Sequence, residues 1–202
     1  MPDADLTLAS RTVFFGAVGT AGQRCTSTRR LLLHSSIADV FLAQLQKAYS
    51  QVKIGNPLDD GVLCGPLHSS GAKEGYLTTL KAAQAEGGEI LVGGEVHKPE
   101  AQELHGGNWV LPTIIRHKEA SAKVMQEECF APILHVATFE TLEEAIAINN
   151  SVRQGLSSTL FTKDLGNVFT WVGPEGSDCG IVNVNQSTSG AEIGGPFGGM
   201  LS

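Results

Sequence analysis

One short segment of the sequence combines residue types able to do covalent chemistry. Gly22-Gln23-Arg24-Cys25-Thr26-Ser27 sets a cysteine after a glycine-rich turn and beside a permanent cation. The thiolate is the nucleophilic form of cysteine, and a neighbouring guanidinium or a helix N-terminus stabilises that anion. Cys25 is therefore a candidate covalent catalyst. The alternative is a structural role, because free cysteine often packs as a small apolar residue. The other three cysteines, Cys64, Cys129 and Cys179, lie far apart and form no C-x-x-C, so neither a disulfide framework nor a zinc knuckle is indicated.

Other chemical patterns are weaker. Gly16, Gly19 and Gly22 have G-x-x-G-x-x-G spacing and follow a helical stretch rather than a strand, which fails the context of a dinucleotide fingerprint. They are expected to let the chain turn tightly toward Cys25. The six histidines show neither H-x-x-x-H nor H-E-x-x-H spacing and are expected in core or surface positions, so no metal is predicted. The adjacent pairs Glu127-Glu128 and Glu143-Glu144 point their side chains apart, so paired acid and base work is not implied.

These residues need elements to hold them. Apolar periodicity alternates between helix-like and strand-like, with the changes marked by Gly, Pro and Asn clusters. Helices are predicted over the opening residues up to Gly16, over 37–52, over 69–86, and from Thr141 and Asp164, two residue types suited to capping. Strands are predicted at 30–34, 89–92, 109–115, 133–139, 159–162 and 181–184, and 95–108 reads as a surface loop. This alternation implies an α/β fold with a largely parallel sheet flanked by helices.

The 202 residues suffice for one sizeable domain, and a net charge of −7 with 17% charged residues describes a globular chain without basic stripes. Nucleic acid is thus not an expected partner. No apolar run approaches the ~18–20 residues of a membrane span, and the acidic opening lacks the features of a signal peptide. The expected setting is soluble and cytoplasmic, with a mitochondrial full-length form as the alternative, and no membrane partner.

The run FFGAVGTAGQRCTSTRRLLLHSSI resembles the active-site segment of the aldehyde dehydrogenase superfamily. So do IGNPLDDGVLCGPL, VLPTII, MQEECFAPIL, GLSSTLFTKD and GIVNVNQSTSGAEIGGPFGG, in the family's order and spacing. The resemblance covers nearly the whole chain and is strongest to the antiquitin (α-aminoadipic semialdehyde dehydrogenase) branch. It implies the catalytic domain of the aldehyde dehydrogenase fold over residues 1–202, truncated at both ends, with the NAD-binding domain absent. It implies Cys25 as nucleophile, NAD as cofactor, and Glu128 and Phe130 beside the nicotinamide ribose and ring. A carboxylate can accept from both ribose hydroxyls, and an aromatic ring can limit where the nicotinamide lies. It also implies that Arg24 and the backbone of Gly190 and Ala191 hold a substrate's distant carboxylate, a task suited to a guanidinium and to small residues that let the backbone approach an anion. Alternatively, Arg24 only tunes the thiol and the loop is a flexible lid. The family's general-base glutamate and oxyanion-hole Asn belong to a region before Met1, and Met200-Leu201-Ser202 departs from the family pattern. Full-length relatives are expected to be homotetramers acting on a small-molecule aldehyde.

Three readings follow. The first is NAD-dependent oxidation of an aldehyde, with α-aminoadipic semialdehyde of lysine catabolism as the expected substrate and the isolated chain inactive. The second is a non-catalytic fragment that associates with full-length subunits. The third is a cysteine hydrolase of activated esters. Phe14, Phe15, Phe130 and Phe197 are the apolar residues expected at the surface, where such patches favour association.

Overall fold

The computed structural model describes residues 1–190. Asp5 accepts hydrogen bonds from the Thr7 and Leu8 amides and so starts helix α1 (Leu6–Val18), which turns Ala9, Val13 and Ala17 toward the core. Strand β1 (Arg30–His34) leads into α2 (Ser35–Tyr49), where Ala38, Phe41, Leu42, Leu45 and Tyr49 recur at helical spacing on the buried side. In α3 (Ser70–Ala85), capped by the Ser69 hydroxyl, Tyr76, Leu80 and Ala83 face inward. Strands β2 (Glu89–Val92), β3 (Thr113–Arg116) and β4 (Ile133–Phe139) follow. The chain then forms α4 (Leu142–Asn149), β5 (Ser157–Leu160), α5 (Leu165–Val172) and β6 (Ile181–Val184). Thr141 and Asp164 cap α4 and α5 as expected, accepting from the Glu144 and Asn167 amides.

Two sheets result. One has the order β1-β4-β3-β2, with β4 parallel to both of its neighbours and β2 antiparallel at the edge; the other is the parallel pair β5-β6. Helices flank a largely parallel sheet, the α/β architecture that the alternation implies. β4 carries the centre of the core: Ile133, Leu134, Val136, Ala137 and Phe139 are all buried, as strands covered on both faces must be.

Where elements deviate from the sequence reading, hydrogen bonds explain it. β3 starts at Thr113 rather than at 109, because Pro112 has no N–H and Trp109 and Leu111 bond back to the preceding loop through His97 N–H and Glu95 C=O. β5 ends at Leu160 because Thr162 is drawn away, its amide to Asn185 Oδ1 and its hydroxyl to Asp3. α2 begins two residues earlier than expected, where the His34 ring accepts from the Ser36 amide, and stops at Tyr49. Phe14 is half-buried rather than exposed, edge-on to Tyr49 at 5.7 Å between ring centres. Phe15 and Phe130 are exposed, and Phe197 lies outside the described residues.

Candidate active site

Between α1 and Cys25 three consecutive residues, Thr20, Ala21 and Gly22, have φ values of 54°, 52° and 66°. Left-handed backbone is rare outside glycine and clusters at functional sites; here it reverses the chain, as the glycine spacing suggested. The turn is fastened on both sides. A Cβ at Gly22 would stand 2.4 Å from the Ala131 carbonyl oxygen, so this glycine is the contact that seats the turn on the start of β4. On the other side the Gln23 side-chain Oε1 accepts from the His68 amide at 3.0 Å, and its Nε2 donates to Pro66 O at 3.2 Å. Cys25 emerges from this turn exposed, followed by the buried Thr26, Ser27 and Thr28.

The residue that gathers the site is Arg29. Its Nε donates to Glu128 Oε1 at 2.9 Å, its Nη1 to Gly22 O and Cys129 O at 3.0 Å each, and its Nη2 to Arg24 O at 2.9 Å. The same guanidinium lies 4.6 Å from the centre of the Phe130 ring, a cation–π arrangement. One planar cation thus ties the carbonyls on both sides of the nucleophile's turn to the 128–130 segment. Burial pulls the Arg29 pKa below its ordinary value, and the Glu128 carboxylate opposes that shift. The sequence reading missed this residue: Arg29 stands only as half of the basic pair Arg29-Arg30, with no chemical motif around it. Arg29→Gln is expected to cost roughly 2–4 kcal/mol, since it leaves buried carbonyls without a donor and Glu128 without its cation. Urea unfolding measures the loss, and a variant as stable as the parent would show that these bonds hold nothing together.

Glu128 and Phe130 therefore lie close to the nucleophile's turn, both in contact with Arg29, and Phe130 keeps 40% of its surface exposed. The third segment arrives from β6. Thr188 Oγ1 donates to Thr26 O at 2.8 Å, and Ser189 Oγ lies 3.2 Å from both Thr26 Oγ1 and Thr26 O. These bonds tie the two residues before Gly190 to the residue that follows Cys25. The Gly190 amide donates to Ser187 O at 2.9 Å, so in this structure it is not free to bind an anion. Ala191 lies outside the described residues. Arg24 is half-buried, with its guanidinium 5.4 Å from the Phe15 ring centre and without a carboxylate partner among the described residues.

The remaining thiols differ sharply. Cys64 is fully buried and burial pushes its pKa up to about 12, while Cys129 is half-buried and shifted in the same direction by burial. Among the described residues, no group of three His, Cys, Asp or Glu side chains could hold a metal ion, and no helix is long and apolar enough to cross a membrane.

Comparison with known proteins gives a consistent set of likenesses. The family model described as "Aldehyde dehydrogenase family" matches residues 1–202. "Aldehyde dehydrogenase family 7 member A1" of Pisum sativum is 56% identical over 199 residues, which cover 98% of this chain and 38% of that protein. "Alpha-aminoadipic semialdehyde dehydrogenase" of Bos taurus is 52% identical, covering 98% of this chain and 35% of the relative. The crystal structure of betaine aldehyde dehydrogenase from Staphylococcus aureus in complex with NAD+ superposes with a TM-score of 0.90 at 33% identity, over 98% of this chain and 38% of that one. The chain thus spans well under half the length of these relatives.

Proposed function

The chain belongs to the aldehyde dehydrogenase family, and on that premise we propose that it carries the nucleophile of an NAD-dependent oxidation of an aldehyde to its carboxylate. Residues 1–202 would be the cysteine-bearing domain, with the rest of the relatives' length supplying most of the cofactor site. The observation that carries this reading is Cys25: an exposed thiol on a left-handed turn, gripped by Arg29, which also holds Glu128 and Phe130.

In the proposed reaction Cys25 Sγ attacks the carbonyl carbon; a C–S bond forms and the carbonyl π pair moves to oxygen. Among the described residues the Cys25 amide has no acceptor, which leaves it able to stabilise that oxyanion. When bound, NAD supplies the two-electron acceptor for the aldehyde hydrogen as the C=O bond re-forms and leaves a thioester on Cys25. Attack of water at the thioester carbon forms a C–O bond, breaks the C–S bond and releases the carboxylate and the Cys25 thiolate, with the two protons of the water passing to solvent. Glu128 Oε1 is engaged by Arg29 while Oε2 makes no hydrogen bond among the described residues, so the carboxylate keeps an oxygen to accept from a ribose hydroxyl. The half-exposed Phe130 ring, held by Arg29, is suited to limiting the nicotinamide's position. These features fit the cofactor.

For the substrate we propose α-aminoadipic semialdehyde, as the names of the Bos taurus relatives' class suggest, with Arg24 and the Gly190-Ala191 backbone receiving its distant carboxylate. The Gly190 amide would have to exchange its bond to Ser187 for one to the substrate.

Iodoacetamide followed by peptide mass spectrometry tests the nucleophile. At pH 8 a thiol with a pKa of about 12 is thiolate in only about one molecule in ten thousand, and Cys64 is also buried. Cys25 is expected to be alkylated at least about 100-fold faster than Cys64; an inert Cys25 beside labelled neighbours would sink the assignment. The substrate is tested by protection: α-aminoadipic semialdehyde should shield Cys25 at lower concentration than hexanal, and Arg24→Ala should erase the difference. With NAD and this aldehyde the chain alone is expected to make no NADH.

A further inference from the structure

The segment that carries Cys25 also carries a guanidinium whose main chain is fixed and whose N–H groups are open. The Arg24 amide donates to Ser27 Oγ at 3.1 Å, and its carbonyl oxygen accepts from the Ser27 amide at 3.1 Å and from Arg29 Nη2 at 2.9 Å. Its side chain is held by other means. Among the described residues it makes no hydrogen bond and no ion pair, and its guanidinium carbon stands 5.4 Å from the centre of the Phe15 ring. That is within the reach of a cation–π attraction.

Phe15 sits in the last turn of α1, where its carbonyl oxygen accepts from the Gly19 amide. The left-handed turn at Thr20, Ala21 and Gly22 then reverses the chain and brings Arg24 back over the ring. The ring lies beside the main chain of Gly19, where a Cβ would meet its Cε2 at 3.7 Å. It remains 47% exposed. An exposed phenylalanine alone calls for no explanation. One that orients an unpaired cation next to a nucleophile has a chemical consequence.

A guanidinium over an aromatic face uses none of its N–H groups for that contact. The attraction acts through the face of the ring, whereas the five donors lie in the guanidinium plane and point outward. A carboxylate binds at that edge through two parallel N–H···O bonds. Ring and carboxylate therefore act on Arg24 together rather than in competition. An unrestrained arginine loses rotamer freedom when it binds an anion, and a ring that restricts it beforehand lowers that cost. The gain falls only to ligands that carry an anion. A leucine in place of the ring would cover similar surface without attracting a cation.

We propose that Phe15 is a positioning residue that sets specificity: it holds the Arg24 guanidinium ready for the anionic end of an aldehyde, so that the site prefers aldehydes ending in a carboxylate over neutral ones of equal length. The inference rests on the substrate reading above, in which Arg24 receives a carboxylate, and adds the group that keeps Arg24 in place. Phe15 acts only through Arg24.

Adipic semialdehyde and hexanal, equal in chain length and differing in the terminal carboxylate, are compared as protectors of Cys25 against iodoacetamide, with labelling read by peptide mass spectrometry. In Phe15→Leu the concentration of adipic semialdehyde that halves the labelling rate should rise about three- to tenfold, with hexanal unchanged. Phe15→Tyr keeps a ring face and should restore the parent value. In an Arg24→Ala background Phe15→Leu should have no further effect. Phenylglyoxal, which modifies accessible guanidinium groups, gives a readout without any aldehyde: Arg24 should react at least about twofold faster in Phe15→Leu than in the parent or Phe15→Tyr. Equal protection by the two aldehydes in the parent overturns the substrate reading and this inference with it. A parental preference that Phe15→Leu leaves intact overturns the inference alone. So does an equal loss of protection by both aldehydes, the result of a purely structural ring, or an unchanged reactivity of Arg24.

Discussion

Gly22→Ala is expected to destabilise the chain by roughly 2–5 kcal/mol, while Gly75→Ala stabilises it by about 0.5–1 kcal/mol. The two substitutions add the same methyl group in opposite settings. At Gly75, inside α3, a Cβ meets nothing within 4 Å, so alanine only restricts the unfolded chain and improves helix propensity. At Gly22 the φ is +66° and the Cβ would fall 2.4 Å from Ala131 O and 2.8 Å from Pro132 N. These are main-chain atoms at the start of β4, which is paired on both sides and cannot yield. The left-handed conformation costs about 1–2 kcal/mol for a residue with a Cβ, and overpacking adds about 1–3. Urea unfolding of both variants gives the comparison. Equal stabilities would mean that the turn does not rest on β4. A displaced turn should also slow iodoacetamide labelling of Cys25, because the Arg29 contact to Gly22 O is broken with it.

Much of this arrangement was legible before any coordinates, for a physical reason. β1, β2, β4 and β6 are short apolar runs bounded by polar or turn residues, so their ends coincide with the ends of the hydrophobic pattern. β3 and β5 are the exceptions: residues 109–112 look apolar enough for a strand, but Pro112 breaks the ladder and the loop captures Trp109 and Leu111, while Thr162 is drawn away from the end of β5. Cys25 could be singled out because its neighbours Gly22 and Arg24 are chemically informative in sequence. Arg29 could not, since its importance lies in carbonyls at positions 22, 24 and 129, and no local pattern encodes a contact across 100 residues. The strand orders of the two sheets were equally invisible. Alternating elements predict a parallel sheet but not which edges stay open, a property that exists only once strand order is known.

The same limit applies to the histidines, which in sequence have no meaningful spacing. Folding brings His117 Nε2 within 2.9 Å of His135 Nδ1, both residues buried at 4% exposure. In the neutral pair one nitrogen donates and the other accepts. Burial, then the nearby His117 and Arg30 charges, push the His135 pKa down to about 3, and burial lowers His117 as well, with Glu86 opposing. An unfolded imidazole takes up its proton near pH 6.5, whereas folded His135 does not until far lower pH. Between these values the unfolded state binds more protons, so stability falls as pH falls. The expected slope is about 1.4 kcal/mol per pH unit from His135, with His117 adding to it. Between pH 6 and pH 4.5 the loss is thus about 2 kcal/mol or more, a large part of an ordinary domain's margin. The depressed carboxylate of Asp3 destabilises in the same direction only below its unfolded value of about 4, so the two windows separate. His135→Gln keeps a hydrogen-bonding group and removes the titration; urea unfolding at pH 7.5, 6 and 5 should give it a distinctly flatter profile than the parent. Parallel profiles would exclude His135 as the acid-sensitive group. Because β4 carries His135 and begins directly after Ala131 and Pro132, the residues on which Gly22 rests, the acid-weakened protein should also lose the labelling contrast between Cys25 and Cys64 in the same pH range.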